Sequence, residues 1–172
     1  DRVLAELSDL LRITLDSIAR PEIRLSEEVE FLEKYLHIEQ VRLGDRLTVE
    51  FDIDEDVLDA AVPVLILQPL VEDAIKHGIA PHGTAGKVRI AARRQGDMLI
   101  MTVEDSGPGP SERAMAALST GIGVSNTRAR LSHQFGSRYR FEFQRQAGGF
   151  TVVVGLPFRQ DPQVPSIAAF VA

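Results

Sequence analysis

Apolar positions change their period along this chain, and each change marks a new element. Val3, Leu4, Leu7, Leu11, Thr14, Leu15 and Ile18 recur at helical spacing, which predicts an amphipathic helix over residues 1–19. Arg20-Pro21 ends it, because the residue before a proline avoids the helical region. Ser26 followed by Glu27 and Glu28 predicts a fresh helix start, with the acids at the positive end of the dipole. From there Leu25, Val29, Leu32, Leu36 and Leu43 repeat in steps of three, four and seven, beside a second row at Phe31, Tyr35 and Ile38. Two such helices in series predict a hairpin or a dimer-forming bundle.

After Gly44 the period drops to two. Leu47, Val49, Phe51 and Ile53 alternate with polar residues, predicting a half-buried strand, and Asp52 to Asp59 reads as an acidic turn. Pro63 is expected in the first turn of a helix that runs to His77 and stops at Gly78. Residues 79–86 read as a loop. Val88–Ala92 and Met98–Val103 predict a hairpin around Gln95-Gly96-Asp97. Residues 110–120 form a connection, 123–135 a helix closed by Gly136, and Tyr139–Gln144 with Phe150–Pro157 a last hairpin around Ala147-Gly148-Gly149. Clustered strands and few helices predict an α+β, two-layer α/β sandwich: a mixed sheet with helices on one face. The expected division is a helical dimerisation or linker remnant at 1–44, a nucleotide-binding unit at 45–158 and a tail at 159–172.

Composition narrows the function. A hydrophobic content of 44% supports a sizeable core in 172 residues. A net charge of −6 argues against a nucleic-acid platform, which carries a basic face. Without cysteine there is no disulfide framework and no thiolate metal site. No apolar run approaches the roughly 20 residues that span a bilayer. The start at Asp1, inside a helical pattern, is expected to be a cut within a longer protein.

Three segments carry candidate chemistry. Val103 to Gly109 places Asp105 at the end of a buried strand, before Gly107 and Gly109. An aspartate there either accepts a hydrogen bond from an exocyclic amine or simply shapes a turn. The glycines admit backbone close to a ligand. Gly121 and Gly123 precede a helix starting Val124, Ser125, Asn126 and Thr127, whose free amides suit phosphate oxygens; Arg128 and Arg130 either add charge or face solvent. On the third segment, Glu72, Asp73, Lys76 and His77 crowd the end of one helix. Asp73 and Lys76 are either a surface ion pair or an oxygen ligand for Mg²⁺ beside a phosphate-binding cation. His77 is a phosphate donor or a dipole-favoured terminal residue. The glycine pattern is neither a P-loop nor a dinucleotide fingerprint. His37, His82 and His133 show no ligand spacing.

At these residues the chain resembles the GHKL ATPase superfamily, and within it the catalytic domain of LytS-type sensor histidine kinases. Leu67-Gln68-Pro69-Leu70-Val71-Glu72-Asp73-Ala74-Ile75-Lys76-His77-Gly78 is similar to that subfamily's N-box. Asp105–Gly109 resembles its first glycine box, and Gly121 to Leu131 the second; the likeness extends over residues 5–158. The resemblance implies a Bergerat-type ATP site with a lid between the glycine boxes. Asp105 would bind the adenine amine, with Gly107, Gly109, Asn126 and Arg128 lining the nucleotide. Lys76 and the Gly121–Gly123 backbone would hold phosphates, Asp73 would hold Mg²⁺, and Glu72, Lys76 and His77 would be catalytic. ATP and Mg²⁺ are the implied cofactors. A response regulator and a second copy of the full-length chain are the implied partners, in the cytoplasmic portion of a membrane sensor, with membrane contact only through segments lying elsewhere. Two departures stand out. Position 73 is usually Asn in that family, and its phosphoacceptor helix does not occur here, so the acceptor histidine is expected upstream of Asp1. A noncatalytic nucleotide-sensing module and an anti-sigma-type serine kinase are the alternatives.

Overall fold

The computed structural model describes residues 21–108, 122–146 and 148–160. The helix expected over 1–19, the connection 110–120 and residues 161–172 of the tail lie outside the described residues. The elements run β1 (Glu22–Arg24), α1 (Leu25–Leu43), β2 (Leu47–Ile53), β3 (Ala61–Pro63), α2 (Gln68–Asp73), β4 (Gly86–Gln95), β5 (Met98–Asp105), α3 (Ile122–Phe135), β6 (Arg140–Gln146) and β7 (Gly149–Pro157).

Five strands form one mixed sheet in the order β2-β4-β5-β7-β6. Only β2 and β4 run parallel, with Leu47 opposite Gly86; β4–β5, β5–β7 and β6–β7 are antiparallel. Alternation decides the faces. Val88, Ile90, Ala92, Leu99, Met101, Val103, Val152, Val154 and Leu156 turn inward and are buried with Leu131 of α3 and Ile75 beyond α2. The opposite face of β2 and β4 carries ionic pairs, Lys87 with Glu50 and Arg93 with Asp52 at 2.6 Å. Such exposed pairs contribute little each but keep that face wet. The expected two-layer α+β architecture is therefore present.

The helix α1 belongs to the same body. Leu25, Phe31, Leu32, Leu36 and Leu43 are buried in the core that the sheet and α2 share. Its start is fastened at once, because Leu25 N–H donates to the Ala60 carbonyl and Ser26 N–H to the Leu58 carbonyl, both at 2.9 Å. Ser26 is consequently inside the helix and Arg24, with no side-chain bond, is the cap. Glu27 and Glu28 lie in the first turn of α1, as expected, and both are buried. Leu32→Ala should lower unfolding free energy by about 3 kcal/mol through transfer and cavity terms. Denaturant unfolding that remains a single transition, with the whole protein destabilised, would show α1 to be part of one cooperative unit.

Two other expectations are corrected. Pro63 does not open a helix: it ends β3, which pairs antiparallel with β1 through Glu22↔Pro63, Ile23↔Val62 and Arg24↔Ala61. A proline is tolerated at the edge of so short a ladder. The first-turn proline is Pro69 of α2. Nor does Gly78 stop the helix. The coil widens to a π-helical turn over Ala74–Ile79, tightens over Ala80–His82 and ends at Gly83, whose φ of 66° is left-handed. Between β3 and α2, Leu65 holds φ 53°, a conformation that costs a branched side chain about 1–2 kcal/mol and must be held by its surroundings.

Candidate functional site

Asp105 closes β5 on the inward face and is buried. Three glycines press against it. A Cβ on Gly78 would sit 2.4 Å from Asp105 Oδ1, one on Gly149 would sit 2.5 Å from the Asp105 carbonyl oxygen, and one on Gly107 would sit 2.2 Å from the Gly78 carbonyl oxygen. Only glycine fits these places. The Gly107 N–H donates to Asp105 Oδ1 at 2.9 Å, and Oδ2 takes no hydrogen bond among the described residues. Ser106 then clamps the turn to β4: its N–H donates to the Lys87 carbonyl, and its Oγ accepts the Lys87 N–H at 2.8 Å. Burial raises the Asp105 carboxyl above its ordinary range, with Glu104 adding to the rise and the Gly107 N–H and His82 opposing it. A fixed carboxylate oxygen with no donor among the described residues, walled by bare backbone, is an acceptor shaped for a flat ligand carrying an amine.

The second half of the site is the helical rod beginning at α2. Its apolar side, Leu70, Val71, Ala74 and Ile75, is buried, while Glu72, Lys76 and His77 are exposed and Asp73 is half-buried. Glu72 Oε1 accepts from Gln68 Nε2 at 2.9 Å. His77 Nε2 lies 3.9 Å from Asp73 Oδ1. Burial raises the Asp73 carboxyl, and His77 and Lys76 pull it down. The change of pitch at Ala74 brings Gly78, four residues beyond, against Asp105, so the rod's charged end and the buried acceptor belong to one site. π-Helical turns of this kind recur at functional sites. Among the described residues no group of three His, Asp or Glu is placed to hold a metal alone. One half-exposed carboxylate fits a cation that takes most of its oxygens from a phosphate ligand and water.

The third sequence segment is only partly placed. Gly109 and Gly121 lie outside the described residues; Gly123 falls in the first turn of α3. Asn126 is exposed. Arg128 does not extend outward: its guanidinium lies over the rings of Phe141, at 5.1 Å, and Phe143, at 5.5 Å. Arg130 turns back to donate to the Val64 carbonyl at 2.5 Å. The roles of Gly78 and Gly149 were not visible in the sequence, where Gly78 reads as a helix stop and Gly149 as a hairpin turn. Only the register Asp105↔Phe150 reveals that the second approaches the acid.

A mixed sheet, a helical layer and a buried strand-end aspartate framed by glycines define a nucleotide-binding ATPase domain. Residues 59–160 match the family of histidine kinase-, DNA gyrase B- and HSP90-like ATPases, and residues 1–47 match the histidine kinase family. The chain belongs to that ATPase family. It is 31% identical over 162 residues to the sensor histidine kinase YesM of Bacillus subtilis (strain 168), covering 93% of this chain and 28% of that protein. It is 30% identical over 170 residues to the sensor protein LytS of Enterococcus faecalis (strain ATCC 700802 / V583), covering 93% and 29%. The chain thus spans less than a third of the length of these relatives. Among solved structures, the nucleotide-free catalytic domain of histidine kinase ThkA superposes with a TM-score of 0.64 at 18% identity, over 81% of this chain and 97% of that one. ThkA in complex with the response regulator protein TrrA superposes with a TM-score of 0.61 at 18% identity, over 93% and 50%.

Proposed function

We propose that this domain binds Mg-ATP across Asp105 and the α2 rod, and passes the γ-phosphate to a histidine upstream of Asp1. A response regulator would then take it, within a full-length homodimer whose kinase portion is cytoplasmic. The observation that carries the reading is the Asp105 cradle. Oδ1 is committed to Gly107, Oδ2 has no donor among the described residues, and Gly78 and Gly149 keep side chains away from the carboxylate and the backbone of Asp105. The adenine amine is the donor this acceptor suits; guanine presents a carbonyl oxygen there and is repelled.

The rest of the chemistry follows from the rod. Lys76 is the exposed cation for the phosphates, with the amides that open α3 beside Gly121 and Gly123. Asp73 is the residue to hold Mg²⁺, which when bound neutralises charge between phosphate oxygens. In the transfer the bond from the γ-phosphorus to the ADP oxygen breaks as a bond to the incoming histidine nitrogen forms. Glu72, exposed and hydrogen-bonded to Gln68 across the same helix face, is the candidate to receive that nitrogen's proton, and His77 to donate to a phosphate oxygen. Arg128 would have to leave Phe141 and Phe143 to reach a phosphate. No described helix is long and apolar enough to cross a membrane. Calorimetric titration tests the reading: micromolar to millimolar binding of Mg-ATP and Mg-ADP, with Mg-GTP at least tenfold weaker, is expected. Gly78→Ala should lose ATP binding, because its methyl would meet Asp105 Oδ1. Equal affinity for GTP would overturn the adenine assignment.

A further inference from the structure

The strongest internal link to the site is a carboxylate on a different element. Glu28, one turn into α1, is fully buried. Its two oxygens are shared between two backbone donors 37 and 39 residues away: Oε2 accepts the Leu65 N–H and Oε1 the Leu67 N–H, both at 2.8 Å. The Gln68 N–H acts on it as well. These are the amides at the left-handed bend and at the start of α2, where Leu67, the capping residue, supplies no side-chain bond. Glu28 therefore does from α1 what a local cap does elsewhere. The other side of the same bend is held by α3, since Arg130 donates to the Val64 carbonyl. One short turn is thus gripped from both sides, by the helix that carries the entering chain and by the helix behind the second glycine pair.

We propose that Glu28 is a positioning residue for nucleotide binding: its carboxylate, holding the Leu65 and Leu67 amides, sets the helix that carries Asp73, Lys76 and His77 and keeps Gly78 against Asp105. The proposal rests on the nucleotide-site reading above. It makes α1 a part of the binding machinery rather than a mere support. A shift of α1 along its axis would withdraw the acceptors and release the Leu65 bend.

The protonation state of Glu28 supports this role. Burial raises its carboxyl to about 7, against the pull of the backbone donors and of Arg130. Among its neighbours, Arg130 of α3 acts on it; two turns further along α1, Tyr35 feels the charge of Glu72 on α2. Because the folded value lies above the ordinary 4.5, the folded chain binds the proton more tightly. The contribution of Glu28 to stability is thus fully present below about 4.5 and is lost as pH rises through about 7. Ionisation has the opposite effect on the cap. The carboxylate offers acceptors to both amides, whereas the acid turns one oxygen into a donor facing a donor.

The test is Mg-ADP affinity from pH 5.5 to 8.5 for the 172-residue chain and for Glu28→Gln. The native protein is expected to bind more tightly as pH rises through about 7. Glu28→Gln should bind about tenfold more weakly at pH 8, the scale of one charge-assisted hydrogen bond, and converge with the native protein at pH 5.5. The nucleotide and every titratable group other than Glu28 are common to both proteins, so the difference between profiles belongs to Glu28. Parallel profiles would overturn the proposal while leaving the site intact; no binding in the native protein at any pH would overturn the site reading instead. Should Glu28→Gln not fold, the native protein suffices. The Leu65 and Leu67 amide resonances should titrate together, with a midpoint that Mg-ADP lowers. A midpoint that Mg-ADP leaves unmoved would overturn the proposal.

Discussion

Asp105→Asn is expected to weaken Mg-ATP binding about a hundredfold or more while leaving the fold intact. The amide has the shape of the carboxylate and keeps one oxygen for the Gly107 N–H, which donates at 2.9 Å. Its nitrogen then faces outward, and a donor meets the adenine amine where an acceptor stood. The same nitrogen suits the guanine carbonyl, so the ratio of ATP to GTP affinity should fall more steeply than ATP affinity does on acidification. Protonating the native Asp105 has a related effect. Since its carboxyl is raised by burial, ATP binding should begin to fail at a pH above the ordinary aspartate range. Titration calorimetry with both nucleotides checks this. Undiminished ATP binding by Asp105→Asn would remove Asp105 from the site.

The second large effect concerns transfer. With γ-labelled ATP and Mg²⁺, the 172-residue chain should acquire no acid-labile label, and a chain extended upstream to include the acceptor helix should acquire it. His37 is the internal candidate, two residues from Glu39. The structure commits Glu39 elsewhere, to the Arg42 guanidinium, which donates from Nε at 3.0 Å, so Glu39 is a poor base for it. Label on the 172 residues that disappears in His37→Gln would reverse this assignment. Label on the extended chain but not in its Asp105→Asn form would tie transfer to the nucleotide site.

Periodicity made most of the architecture legible, because alternation over Leu47–Ile53 or Met98–Asp105 is a local consequence of one buried face. The ATPase family was legible from Asp105 with its glycines and from the Leu67–Gly78 run. The errors share a cause. Pro63 was misplaced because a two-strand ribbon of three residues each leaves no period to detect. Gly78 looked like a stop because the sequence does not show that Asp105 lies on the other side of it. The second role of Glu28 is hidden because the amides that donate to it come 37 and 39 residues later. Arg128 suggested phosphate, and the rings that hold it lie on β6. Each depends on a contact distant in sequence.

The ribbon of β1 and β3 also decides how the domain carries a mechanical load. Ala61 N–H donates to the Arg159 carbonyl at 2.8 Å, Ala60 bridges to Gln160, and Glu22 receives both Arg159 and Gln134. β1 and residues 159–160 therefore both border β3, and the Glu22–Arg159 pair joins them. Tension applied between them is borne by that ribbon and its ion pair, and the line of force bypasses Asp105. A torque delivered through residue 21 takes another route. β1 passes into α1 without an intervening residue, so a rotation there turns α1 directly and reaches Leu65 through Glu28. The joint resists being pulled apart yet transmits twist, which is the mechanical property of a crank.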